Sequence, residues 1–555
     1  MYNNFWGYCQ AALKNSYLKI GMVIVTIAVI GFSTVSQYGF TIDEATEMSI
    51  VRRNYELITK GQPIPSDLKY FGTLFNFTSE ALFQINQYLH KGPGYSATNY
   101  EGDANDEKGR IKALYDRMQI KHPLTFFTSV IAYLSVSAIV GVLCGWEYAW
   151  LAPIVLALFP RFWGHSFFNP KDIPFASLFT LCTYGGAHLI NYYQKNEPKF
   201  KLELNKIYLF SILYGILIGM LSSIRIGGFL VLFFILAAHI GVTLGQGISQ
   251  VKNLYKYAIC YILMFLAWAA TVTILQPASW ANPVAWFFET IGYLSKHPLP
   301  IKTLFEGTEY PIQDIPWNFT SKWMLISIPI IFQISFLVGL GLLALKYKKF
   351  SDLARACSIL VILQIFALPI IAVVKHSSGY DDMRHYMFVL PGIASIATAA
   401  FIWSYQALAN KKAVQLGSVA FLVTVFAAII IEMIQLHPYQ YVYFNRLSGG
   451  LAAAPNRYEI DYWALSLREG MEWLNKNADP KQPIIVAGVL YPANLFADPK
   501  LTVISLEKAT EKGISKPFYY LPWGRWGLPK QFPECPIVHQ VERQGVALTS
   551  IKHCQ

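Results

Sequence analysis

The stretch YGFTIDEATEMSI, residues 38–50, sets Asp43, Glu44 and Glu47 directly after an apolar run long enough to cross a membrane. Charge at a bilayer edge is costly to keep dry, so carboxylates there face water, a cation or a substrate. Three more short stretches between apolar runs carry related chemistry. RFWGHSFFNPKDIPFA offers Arg161, His165, Asn169, Lys171 and Asp172; SSIRIGG holds a lone Arg225; KHSSGYDDMRHYMFVLPG supplies Lys375, His376, Asp381, Asp382, Arg384 and His385. Carboxylates can take a proton from an incoming hydroxyl or amine, or hold a divalent metal. Arginine and lysine can neutralise phosphate oxygens as a phosphate ester departs. Jointly these types fit transfer of a group from a lipid phosphate; singly, each also fits a lipid-headgroup anchor or a helix cap.

The elements that must position them follow from composition. Of 555 residues, 54% are hydrophobic and only 14% charged, where a soluble domain carries about a quarter. The chain is therefore expected to be a polytopic membrane protein. Its formal net charge of +12 is spread between apolar runs rather than gathered into one patch, which argues for membrane topology and against a nucleic-acid partner. Apolar runs predict about eleven transmembrane helices, at 18–38, 124–144, 147–160, 173–193, 207–224, 226–245, 256–275, 323–345, 354–374, 385–406 and 415–436. The first lacks a small-residue cleavage site and is expected to stay as a signal anchor. Lys14, Lys19, the 195–206 segment with four lysines, Lys252, Lys256, the KYKKF run at 346–350, Lys411 and Lys412 all fall on one side. That side is expected to be cytoplasmic, which sends the four charged stretches and the tail after 436 to the outer face.

Two parts result: a transmembrane catalytic domain, 1–436, with a large first outer loop at 39–122 patterned as amphipathic surface helices, and an outer C-terminal domain, 437–555. The latter reads as a small α/β unit, with a helix around ALSLREGMEWLNKN and strands at PIIVAG, LTVIS and FYYL. A second outer segment, 276–322, is rich in Pro and Trp. Of seven cysteines, Cys9, Cys144, Cys182, Cys260 and Cys357 fall inside or within the bilayer, while Cys535 and Cys554 lie outside, each equally far from Gln544–Gly545. A two-residue hairpin there would bring that pair within disulfide range; the alternative is two unpaired thiols without register.

Combined, TIDEATE after the first run, FFNPKDIPFA before the fourth and RHYMFVLPG leading into the tenth resemble the GT-C superfamily of polyprenyl-phosphate-dependent glycosyltransferases. The nearest branch is glycosyltransferase family 39, with the protein O-mannosyltransferases and the aminoarabinose transferases of lipid A. LHPYQYVYFNRLSGGLAAAPNRYEIDYWALSLREGMEWL is similar to a segment of bacterial members. The resemblance implies an inverting transfer of a sugar from a polyprenyl-phosphate donor to a glycan, lipid or protein acceptor, at the outer face of a bacterial inner membrane. Asp43 would be the base and Glu44 its support; Asp172 would position acceptor or metal; Lys171 would meet the donor phosphate. Arg225 and Arg384 are further phosphate candidates, against a reading as snorkelling headgroup anchors.

A divalent metal (Mg, Mn or Ca) would fall to Asp43, Glu44, Asp172 and His165, although a lone His beside Trp163 and Phe167 also suits packing. Asp381, Asp382 and His385 have metal-compatible chemistry but also suit a solvated loop. Glu47 fits a surface position on the following helix. Tyr439, Tyr441, Tyr443 and Asn445 fit either a sugar-binding floor or an interfacial aromatic belt. NFT sequons stand at Asn76 and Asn318. The rival to an enzyme is a polytopic transporter or lipid flippase, which predicts repeated halves and broken segments near the bilayer midplane.

Overall fold

The computed structural model describes residues 15–91, 107–198 and 206–555; Cys9, Lys14, Lys199 and Lys201 lie outside the described residues. All eleven apolar runs are helical in whole or large part. Among the described residues, eight helices are long and apolar enough to cross a membrane: Ser16–Gln37, Ile111–Cys144, Asp172–Lys195, Ile226–Leu244, Ile248–Leu275, Ile330–Lys349, Asp352–Val374 and Lys412–Leu436. This is an integral membrane protein. The remaining three runs differ from a straight span for separate reasons. Lys206–Ser222 is short; Val389–Ala407 is diluted by Ser, Thr, Tyr and Gln and buried along most of its length. The predicted run at 147–160 is one arm of a pair, Leu151–Ala157 and Pro160–Phe168, bent by 77°. Phe159 is extended, and Pro160, lacking an N–H, starts a new helix instead of continuing the old one.

Asp172–Lys195 runs through the middle of the bundle, buried on nearly all sides. Helices Lys206–Ser222 and Ala258–Leu275 pack almost backbone to backbone, because Gly215 and Gly219 present no side chain where Met264 and Thr271 cross. Lipid supplies no hydrophobic drive for such pairing, so close van der Waals approach must supply it. One end of the bundle gathers the basic loops: Lys256 meets Glu197 at 2.9 Å, Gln246 bonds Asp352 at 2.9 Å, and the Lys346 ammonium lies 5.6 Å from the Trp403 ring centroid.

The other end carries the amphipathic helices of the first loop. Glu44–Lys60 buries Glu44, Glu47, Ile50, Val51 and Asn54, so its inward face includes two carboxylates. Leu74–Lys91 packs beside it, against the polar first turns of Glu107–Cys144. In the Pro- and Trp-rich segment 276–322, Lys302–Phe305 (β1) and Thr308–Pro311 (β2) form a hairpin, and residues 437–466 sink their aromatics into the bundle core.

From Leu467 the chain forms a five-stranded sheet, Ile484–Ala487 (β3), Val503–Ser505 (β4), Phe518–Pro522 (β5), Ile537–Arg543 (β6) and Val546–Cys554 (β7), in the order β4-β3-β5-β7-β6. β3 is paired in parallel with both β4 and β5, while β7 runs antiparallel to β5 and β6. Ile484 and Val486 face Leu467, Met471 and Leu474 of helix Leu467–Asn477, whereas Ile485 and Ala487 face Ala509 and Phe518. Gln544 and Gly545, both at positive φ, close the β6–β7 hairpin. Two register shifts in that ladder cancel, and Cys535 and Cys554 are joined by a disulfide with Cα atoms 4.7 Å apart.

A Cβ at Gly215 would stand 2.3 Å from the Met264 carbonyl oxygen, while nothing lies within 4 Å of one at Gly341. Gly215→Leu is expected to destabilise the chain by about 1–3 kcal/mol, and Gly341→Ala to leave it unchanged, in thermal unfolding of the purified protein followed by tryptophan fluorescence.

Candidate active site

The loop bearing Asp43 is held from the C-terminal side of the chain. Arg468 donates from Nη1 to the Ser36 and Tyr38 carbonyls at 2.7 and 2.9 Å. The Tyr491 hydroxyl donates to the Thr41 carbonyl and accepts from the Ala45 N–H. Gly39 is required here, since a Cβ would stand 2.7 Å from the Leu465 carbonyl. Glu44 is fully engaged: it accepts from the Thr41 N–H at 2.7 Å, tying the start of the helix to the turn before it, and pairs with His122 Nε2 at 2.6 Å. Asp43 is left 25% exposed, so a substrate can reach it.

The FNPKD turn supplies the next pieces. Asn169 Oδ1 accepts from the N–H of Asp172 at 2.9 Å, its amide nitrogen donates to Asp172 Oδ2 at 2.8 Å, and Pro170 keeps the turn from continuing the preceding helix. Lys171 then points its ammonium at Glu47, in direct contact, and at Asp43, 3.7 Å away. Asn76 donates to Glu47 from the far side. That sequon asparagine is thus buried, not available at the surface.

Arg384 joins the loops. Its Nη1 lies 3.4 Å from Asp43 and 3.9 Å from Asp172, and its Nη2 3.0 Å from Asp381. Arg225 pairs directly with the other oxygen of Asp172. Asp381 and Asp382 both adopt left-handed backbone, φ 54° and 60°, a conformation aspartate tolerates better than most residues. The turn sends Asp381 to Arg384 and to Arg525 at 2.8 Å, and Asp382 to Arg161. Arg525, from the segment after β5, also holds Glu459 at 2.6 Å. An alternating chain of buried charge thus runs from Asp43 into the C-terminal part.

Beside this cluster lies a cavity of about 460 Å3. Lys171, Arg225, Arg384 and Lys375 line it, with His297 and His385, and no carboxylate does. Phe175, Ile224, Phe229, Leu230, Leu368 and Ile371 make its apolar wall. Shape and charge together suit an anion on a hydrophobic tail.

Burial drives the Asp43 carboxyl up, but the cations Lys171, Arg384, Arg225 and Arg525 outweigh it and hold it below the ordinary carboxylate range. Asp43 is ionised at neutral pH. Burial pushes the Lys171 ammonium down to about 8; Asp43 and Asp172 pull it up, while Arg384 and Arg225 press it down. His385 is kept neutral by burial and by Arg384, Arg225 and Lys171.

Of the residues anticipated from the sequence, Asp43, Lys171, Asp172, Arg225 and Arg384 come together. Others go elsewhere. Tyr441 donates to Asp461, Tyr443 is buried near Glu432, and Asn445 donates to the Leu325 and Ile328 carbonyls at 2.6 and 2.9 Å; none of the three lines the cavity. His165 bonds Tyr462 at 2.9 Å and Asn169 at 3.0 Å. With Glu44 given to His122 and with Asp43 and Asp172 facing guanidinium and ammonium groups, Asp43, Glu44, Asp172 and His165 do not form one ligand set for a divalent metal. Among the described residues no group of three or more His, Cys, Asp or Glu side chains could hold a metal ion. Sequence reasoning missed Glu47 as a buried partner, the Arg525–Glu459 pair and His297. The only signal for Glu47 was its helical spacing, one turn from Asp43.

The chain matches no family model and no curated protein sequence. Among solved structures it is similar to ArnT from Cupriavidus metallidurans bound to undecaprenyl phosphate, at 11% identity and a TM-score of 0.45, over 96% of this chain and 97% of that one. It is also similar to the archaeal oligosaccharyltransferase AglB from Archaeoglobus fulgidus in complex with an inhibitory peptide and a dolichol-phosphate, at 12% identity and a TM-score of 0.49, over 91% and 69%. A structure of the Archaeoglobus fulgidus oligosaccharyltransferase in complex with Zn and sulfate aligns at 12% identity and a TM-score of 0.43, over 90% and 67%.

Removing Arg525 would leave the buried Glu459 without its cation and Asp381 with Arg384 alone. Arg525→Ala is expected to cost about 3–5 kcal/mol, whereas Arg446→Ala, at a pair whose arginine is 76% exposed, should cost under about 1 kcal/mol. Thermal unfolding of the two purified variants compares them.

Proposed function

We propose that the chain is a GT-C-type glycosyltransferase that moves a sugar from a polyprenyl-phosphate donor to a glycan, lipid or protein acceptor, with inversion at the anomeric carbon. One observation carries this reading: a cavity with an apolar wall and four cationic side chains, free of carboxylates, adjoins an accessible ionised aspartate through cations that touch both. Lipid phosphate would occupy the cavity against Lys171, Arg225 and Arg384. The acceptor would approach Asp43. Its nucleophilic atom gives a proton to the Asp43 carboxylate as it forms the bond to the anomeric carbon. The bond from that carbon to the phosphate oxygen breaks, and its electron pair leaves with the lipid phosphate, whose charge the cations already balance.

Asp172 acts in this scheme by orienting Arg225 and Arg384, and Glu44 by fixing the helix that bears Asp43. The reaction would face the outside of a bacterial inner membrane, with residues 437–555 as the outer α/β part beside the 1–436 catalytic part. A transporter or flippase reading would need ionisable groups near the bilayer midplane; here the ion pairs stand at the two ends of the bundle, with the Asp43 cluster at one of them.

Asp43→Asn is expected to lower transfer by about 10²–10⁴-fold, assayed with radiolabelled donor in membranes, while binding of undecaprenyl phosphate stays close to that of the parent protein. Full activity in the variant would assign the base elsewhere. Lys171 loses its charge as pH rises through about 8, so affinity for undecaprenyl phosphate should fall between about pH 7 and pH 9. Lys171→Arg, charged throughout, should flatten that profile.

A further inference from the structure

Four of the residues that line the cavity each carry a buried polar atom with no hydrogen-bond partner: Nδ1 of His297, Oγ of Ser378, Nε of Arg384 and Nε of Arg225. Two belong to the arginines already assigned to phosphate. The other two have no role so far. A buried polar atom left unpaired costs about 1–3 kcal/mol, and several gathered around one cavity point to a ligand that pairs them.

His297 is held in place by everything except the atom in question. Gln313 donates to its carbonyl at 3.0 Å and to that of Leu299 at 3.1 Å, fixing the backbone from 297 to 299. The ring packs edge-on to Phe71 and Tyr293 and nearly parallel to Tyr380, whose own face lies 5.0 Å from the Arg384 guanidinium. The loop carrying Ser378 is tied to the same region, since the Ser378 N–H donates to the Ser295 carbonyl at 3.2 Å and the Gly379 N–H to that of Ile312 at 3.0 Å. The imidazole is 9% exposed. Burial and the charges of Lys171 and Arg384, against the opposing pull of Asp43, push its pKa down to about 4. It is therefore neutral at physiological pH, with one ring nitrogen protonated and able to donate.

We propose that Nδ1 of His297 and the hydroxyl of Ser378 are hydrogen-bonding ligands of the anionic head group that enters this cavity. This rests on the donor reading above. Lysine and arginine supply charge but little direction along the cavity. A neutral imidazole and a hydroxyl, anchored on two loops bonded to each other, add directed hydrogen bonds that distinguish a phosphate lodged at the correct depth from one merely attracted.

The test measures dissociation constants of undecaprenyl phosphate and of undecaprenol on the full-length purified protein. His297→Ala is expected to weaken undecaprenyl phosphate about ten-fold or more, and Ser378→Ala by a smaller factor, with undecaprenol unaffected. His297→Asn, whose side-chain amide can occupy the place of Nδ1, should stay within about two-fold of the parent. Unchanged affinity in His297→Ala overturns the proposal. So does His297→Asn binding as weakly as His297→Ala, because the ring would then serve packing against Phe71, Tyr293 and Tyr380 rather than offer Nδ1. If the parent protein binds undecaprenyl phosphate no better than undecaprenol and Lys171→Gln changes nothing, the donor reading itself falls, and this inference with it.

Discussion

Arg384 is 3% exposed and lies among Asp43, Asp172 and Asp381, which come from three widely separated parts of the chain. An ion so deeply buried is stable only while its partners are present, because the desolvation of each charge is several kcal/mol and is offset only by close, well-oriented opposite charge. Loops that would otherwise fray at a membrane edge are therefore interdependent. The turn at 381–382, the FNPKD turn and the start of helix Glu44–Lys60 must all be in register for any one to be. Arg525 extends that dependence to the five-stranded sheet, which makes the C-terminal part structural to the site rather than an appendage.

The same constraint sorts charge in space. Lys171, Arg225 and Arg384 stand between the carboxylates and the cavity, each paired with an acid and each part of the cavity lining. A cavity with cations on its wall and no carboxylate, lined otherwise by apolar side chains, has the chemistry that the proposed donor, an anion on an apolar tail, would need.

How much of this was legible in the sequence depends on contrast. Asp43, Lys171, Asp172, Arg225 and Arg384 stand out because ionisable residues are scarce between apolar runs. Their convergence follows once the runs are laid out as antiparallel helices. Arg525 and Glu459 could not be found that way, because they lie in a segment where charge is ordinary and the contacts that bury them span 66 residues or more. Glu47 has the spacing of a solvated helix position, and only the packing of Leu74–Lys91 against it turns that face inward. The aromatic run around Tyr441 has identical periodicity as a belt, a sugar floor or a core. Burial alone tells them apart. Hydropathy likewise registered the run at 147–160 but not its bend, which depends on how Pro160 meets an extended Phe159.

Helix Lys412–Leu436 packs on the rest of the molecule mainly through its C-terminal half, where Ile429, Met433 and Leu436 are buried and Phe426 meets Phe332 and Phe401. Its 25 residues extend about 37 Å at 1.5 Å per residue, longer than the roughly 30 Å oily layer of a bilayer. No residue from Lys412 to Thr424 is buried, so this half of the helix can lean to absorb that excess. Thicker or thinner membranes would then change the slant of this one rod while the cluster around Arg384, braced independently through Arg525 and Tyr491, keeps its shape.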